Sequence, residues 1–184
     1  GGSLTAKLER APGIEPFRNP EGVRSFETLG KATSLFVIKD RVIFNSPQTI
    51  PWLTDGTLDW FWSAAEKAGL PVMCFAPTST SAFGRVAERH PGLNLILDHM
   101  GVTGAMLKDN KVADGISATV ALAKYPNVSV KVSASPGISR EPYPFRDVAA
   151  HIKRVFDAYG PQRCYWGTDL TNSYAKASYR QRIS

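Results

Sequence analysis

The sequence predicts an α/β fold in which short parallel strands alternate with helices packed outside them. Two observations and one packing rule carry that prediction. From Trp52 onward, short apolar runs and amphipathic helical patterns follow one another four times. Each apolar run is bounded by Gly, Pro or a charged residue and is too short for an ordinary helix, as in residues 93–98, LNLILD, which follow Pro91-Gly92. Consecutive strand–helix units pack as parallel strands joined by right-handed crossovers.

Taken in order, residues 4–10, LTAKLER, read as the end of a helix stopped by Ala11-Pro12-Gly13. Residues 13–18 read as a strand and 22–30 as a short helix. Residues 34–39, SLFVIK, and 41–44, RVIF, are strands by their Val, Ile and Phe content. The whole stretch 15–44 fits the later pattern poorly and reads as irregular or inserted. Thr57 is the expected N-cap of a helix over 58–68, LDWFWSAAEKA, with Leu58, Phe61, Ala65 and Ala68 on one face and Gly69 as its stop. A strand over 70–76 follows, then a helix over 79–90 capped by Ser79 or Thr80. After the strand at 93–98 comes a helix over 111–125, with Val112, Ile116, Val120 and Ala123 inward. Residues 127–132, NVSVKV, are a strand. Residues 146–159 are a helix with Val148, Ile152, Val155 and Phe156 inward, stopped by Gly160-Pro161. Residues 164–167 are the fourth strand, and 174–184 begin another helix.

The 184 residues suffice for one domain, 1–184, with a real core. An apolar content of 43% argues against disorder. No apolar run approaches the roughly 20 residues that cross a membrane, and residues 1–10 show no signal-peptide pattern. Cys74 and Cys164 both fall in strands, where Cys is a small buried hydrophobe, which suits the reducing cytoplasm. The net charge of +6 favours anionic small molecules. Lys and Arg are scattered apart from a loose group at 176–182, so a nucleic-acid partner is not expected. Two architectures fit: a doubly wound sheet or a (β/α) barrel, the latter usually needing about 250 residues. No Gly-rich phosphate loop follows any strand, which disfavours a nucleotide-binding sheet.

Ligands bind beyond the carboxyl ends of parallel strands. His99 and Asp169 stand at two such ends. Asp169 can take a proton from water as a general base, or cap the segment 170–174. His99 can polarise a carbonyl, ligate a metal, or merely cap its strand. Asp98 alternates to the opposite face and reads as structural. Lys131 faces either the barrel interior or the helices, and an interior Lys is costly to bury unpaired and needs a carboxylate partner. Arg140 and Tyr143 lie in the loop after the 127–132 strand, where an Arg can grip a substrate carboxylate. His90 and His151 read as surface residues of helices, and Trp60, Trp62 and Trp166 as packing.

LDHMG at 97–101, NVSVKVSA at 127–134 and YWGTD at 165–169, with LTDGTLDWFWSAAEKAGLPVM at 53–73, come in the order of a known family. Together they resemble the amidohydrolase-related branch of the metal-dependent hydrolases, especially its 2-pyrone-4,6-dicarboxylate lactonase-like members. The resemblance implies a partial TIM-type (β/α) barrel, truncated at both ends, with its first strand or strands missing. It implies a hydrolase with His99 and Asp169 as active-site residues; with the residue chemistry above, the expectation is action on a small carboxylated lactone, ester or amide, with Asp169 as general base, His99 polarising the carbonyl, and Arg140, Tyr143 and Lys131 binding substrate. The family's His-x-His pair is nowhere in this sequence, and Phe75 or Ala76 stands where metal-using members carry another His. The expectation is therefore no required cofactor, or a divalent metal such as zinc held weakly by His99 and Asp169. The alternatives are a metal-dependent decarboxylase of the same family, or a catalytically incomplete barrel fragment with an association role, including self-association as a homo-oligomer.

Overall fold

The computed structural model describes residues 42–133, 135–169 and 174–183. The elements expected before residue 42, and the cap of 170–174 by Asp169, lie outside the described residues. Five strands form one sheet in the order β1-β2-β3-β4-β5. They are β1 (Val42–Ile43), β2 (Val72–Phe75), β3 (Leu95–Leu97), β4 (Val128–Val132) and β5 (Cys164–Trp166). Every neighbouring pair is parallel. A sheet whose spatial order equals its chain order is singly wound, as in a (β/α) barrel and unlike a doubly wound sheet.

The strands alternate cleanly between two faces. Val72, Cys74, Leu95, Leu97, Val128 and Val130 are at most 1% exposed and form the core under the helices. That cover comes from α1 (Asp59–Lys67), α2 (Thr80–Arg89), α3 (Gly104–Lys108), α4 (Val112–Ala121), α5 (Ser135–Ile138) and α6 (Arg146–Tyr159), while α7 (Tyr179–Ile183) lies near the end of the chain. The opposite face carries Met73, Ile96, Ser129, Lys131 and Tyr165, which line an open trough of about 590 Å³ with Trp166. In a closed barrel the interior is filled by side chains; among the described residues it is concave and accessible.

Several expectations need correction. Leu58, not Thr57, is the N-cap of α1, and it makes no side-chain bond. The Thr57 N–H is instead taken by Asp55, and Ala68 is exposed. The 111–125 helix ends at Ala121 and tightens into a 3-10 turn, Leu122–Lys124. Phe156 is 46% exposed, because Tyr159 takes the last inward position and donates its hydroxyl to the Thr119 carbonyl. Trp166 is 61% exposed on the outer strand β5 and is not packing. His90 is buried against Glu66, whose Oε2 lies 2.9 Å from its Nδ1. His151 is half-buried, not a surface residue.

Candidate active site

The site forms where β3, β4 and β5 end. β3 stops at Leu97, and a 3-10 turn, Asp98–Gly101, begins at once. His99 and Met100 both have positive φ, 54° and 53°. That region is sterically costly for non-glycine residues. The turn is held by Thr119, whose hydroxyl donates to the Met100 carbonyl at 2.8 Å, and by Gly101 at φ 62°. Its consequence is that Asp98 and His99, which strand alternation would send to opposite faces, come to the same place. The reading of Asp98 as pointing away is therefore wrong.

Asp98 is fully buried. Its Oδ2 lies 3.3 Å from Nε2 of His99, and its Oδ1 lies 3.1 Å from Nζ of Lys131. Lys131 thus faces the open side and finds a carboxylate there. Nε2 of His99 is also 3.7 Å from Oδ1 of Asp169. Nδ1 of His99 is 2.7 Å from the Ser133 hydroxyl. A carboxylate only accepts hydrogen bonds, so the proton belongs on Nε2, facing the two carboxylates. In the neutral ring, Nδ1 then accepts from Ser133. The Phe75 ring meets the His99 ring edge-on at 5.5 Å. Below the turn, burial and then the nearby Asp98 charge push the Cys74 thiol well above the usual range.

The structure thus brings His99, Asp169 and Lys131 into one cluster, with Asp98 and Ser133 as members the sequence reading missed. Ser133 left a signal: it stands one residue past β4, two after Lys131, and extended backbone puts the two on one face. Arg140 and Tyr143 sit on the loop before α6. Arg140 is exposed, and its Nη2 donates to the Leu107 carbonyl at 2.6 Å and to Asn110 at 2.5 Å. It makes no contact with His99 or Asp169. Tyr143 is exposed and packs edge-on against Phe145.

The amidohydrolase family model (Amidohydro_2) matches residues 41–182. The chain belongs to the amidohydrolase family. No curated protein matches it. Among solved structures, a Burkholderia multivorans amidohydrolase with bound HEPES is 19% identical, with a TM-score of 0.72 over 91% of this chain and 61% of that one. The same description with bound zinc gives a TM-score of 0.67 at 19% identity, over 88% of this chain and 60% of that one. A Pseudomonas putida protein named for 2-pyrone-4,6-dicarboxylic acid hydrolysis gives 0.64 at 19%, covering 85% and 57%. These likenesses establish the partial barrel fold, and the amidohydrolase chain spans about 60% of the length of the structures it matches.

The described residues do not fit a bound divalent metal. No group of three or more His, Cys, Asp or Glu side chains among them is arranged to hold one. The Asp98 carboxylate is already paired with the Lys131 ammonium through its Oδ1. Phe75 presents a hydrocarbon ring to His99.

Proposed function

We propose that this amidohydrolase chain carries the hydrolytic centre for a small carboxylated lactone, ester or amide. The observation behind the proposal is the approach of Asp169 to Nε2 of His99 at 3.7 Å, beyond the ends of β5 and β3 on either side of β4. At that spacing one water and one carbonyl oxygen can be shared between the two side chains. Asp169 takes a proton from the water, and the water oxygen bonds to the carbonyl carbon. Nε2–H of His99 donates to the oxyanion that forms. The carbon–heteroatom bond then breaks, and the leaving oxygen or nitrogen takes the proton back from Asp169. Lys131 adds positive charge on the trough side, and Arg140 and Tyr143 receive the substrate carboxylate from the loop. The guanidinium of Arg140 is already oriented by Leu107 and Asn110.

In this reading the chemistry runs on the side chains themselves, since among the described residues no group offers the three protein ligands that catalytic zinc sites use. The metal-dependent decarboxylase alternative asks for a further ligand beyond the described residues. Both thiols are free, which suits a cytoplasmic protein. Among the described residues no helix is long and apolar enough to cross a membrane. Proton release from a panel of lactones, with and without a carboxylate substituent, tests the proposal. Preferential turnover of the carboxylated members supports it, and equal inertness of all members counts against it.

A second reading rests on the open trough. Among the described residues β1 and β5 are the two edges of the sheet, and an uncovered edge exposes apolar side chains and unpaired backbone groups. Self-association of an incomplete barrel would cover them, and sedimentation at several concentrations would reveal the homo-oligomer.

A further inference from the structure

We infer that Asp98 is the positioning residue for His99, and that Gly167 is the slot through which Lys131 reaches Asp98 to make this possible. The inference deepens the hydrolase reading and rests on it for its kinetic consequences. Its structural part stands apart from that reading.

Asp98 is fully buried, and its two oxygens face two different partners. A buried carboxylate is tolerated only when it is paired. With Lys131 on Oδ1, Oδ2 orients the Nε2 edge of His99 while the negative charge of Asp98 is already balanced. Asp169 is then the carboxylate left to act as base. Without Lys131, two carboxylates compete for one Nε2–H, and the ring is drawn to the buried one.

Gly167 supplies an independent observation. A Cβ at position 167 would stand 2.7 Å from Cε of Lys131 and 3.5 Å from Cβ of Ser133. The first distance is closer than packed carbon atoms come. Gly167 extends β5, and its N–H donates to the Val132 carbonyl at 3.2 Å. The backbone there is tied to β4, so it is the lysine stem that has to give. Position 167 therefore controls where the Lys131 ammonium sits, although Gly167 carries no functional group. It also abuts Ser133, the partner of the other ring nitrogen.

The test combines kinetics with the imidazole signals of the whole chain. Gly167→Ala leaves every charged group in place. It is expected to lower kcat by about 10–100-fold, the usual effect of disturbing a supporting contact, with KM nearly unchanged. Lys131→Ala should do the same, and Lys131→Ala with Gly167→Ala should be no worse than Lys131→Ala alone, because the truncated stem no longer meets the new Cβ. Additive losses, or a rise in KM at constant kcat, would overturn the inference. The 15N signals of His99 separate it from the function itself. If no lactone is turned over, the hydrolase reading fails. The positioning role still holds where Asp98→Asn and Gly167→Ala each move the Nε2 signal, and fails where both leave it unchanged. Should Gly167→Ala not fold, Lys131→Met makes the same comparison.

Discussion

The hydroxyl of Ser133, just past the end of β4, lies 2.7 Å from Nδ1 of His99, and both residues are buried. This bond fixes the ring by the nitrogen that faces away from the carboxylates. Ser133→Ala removes a buried hydrogen bond, at a cost of about 1–3 kcal/mol in stability. It is expected to reduce kcat more than it alters KM, since the ring loses its orientation and not its contact with substrate. Urea unfolding and steady-state kinetics on the same preparation check both statements.

Gly101 closes the turn that carries His99. Its φ is +62°, and a Cβ there would lie 2.7 Å from Oγ1 of Thr119 and 3.1 Å from Cδ2 of Leu97. Gly101→Ala combines a left-handed conformation costing about 1–2 kcal/mol with overpacking worth about 1–3 kcal/mol. Because the Thr119 hydroxyl is also the donor to the Met100 carbonyl, the turn itself is displaced. Denaturant titration is expected to show the loss of stability.

These two residues also show how far the sequence could be read. The four strands after residue 70 and their helices were legible because burial on one face imposes regular apolar spacing. Val148, Val155, Val112 and Ile116 fell where that spacing put them. Asp98 was misread because strand alternation was extended one residue too far. Two consecutive positive φ angles at His99 and Met100 are set by tertiary contacts with Thr119, and no local pattern announces them. Phe156 was placed inward by the same periodicity that placed Val155. Only the partner surface, which offers the Thr119 carbonyl to Tyr159, decides which residue of the last turn is covered. No sequence pattern marks Arg163, yet its guanidinium donates to the carbonyls of Ala123, Tyr125 and Val128 and ties the entry of β5 to its neighbours.

Acid should weaken the fold partly through Glu66. Its hydrogen bond with His90, helped by the Gly92 backbone N–H and opposed by burial, holds the carboxyl below its ordinary value of 4.5. A depressed folded-state pKa contributes stability that is fully present above the unfolded value and is lost as pH falls through the folded one. Stability is therefore expected to decline below about pH 4.5, and Glu66→Gln should flatten that part of the profile. Asp147 acts in the same direction. Burial raises it, but the Ser139 hydroxyl and the Arg140 backbone N–H outweigh that and hold it low. Chemical unfolding followed between pH 3 and 7 would reveal the slope.

Arg140→Ala separates a binding role from a structural one. The residue is exposed and its bonds go to Leu107 and Asn110, so the loss of stability should stay near the roughly 0.5–1.5 kcal/mol of an ordinary hydrogen bond. The proposed carboxylate contact predicts a raised KM for carboxylated substrates and no change for uncharged ones. A parallel fall in kcat for both would place Arg140 outside substrate binding.

The central claim is that Asp169, opposite His99, is the base of a hydrolytic site that needs no divalent metal. The most direct measurement compares kcat for wild type and Asp169→Asn on one carboxylated lactone, both treated with a chelator. The account predicts turnover by wild type that survives the chelator, and a loss of about 100- to 10,000-fold in the variant at similar KM. Equal rates in the two proteins, or wild-type turnover abolished by the chelator and restored by zinc, would contradict it.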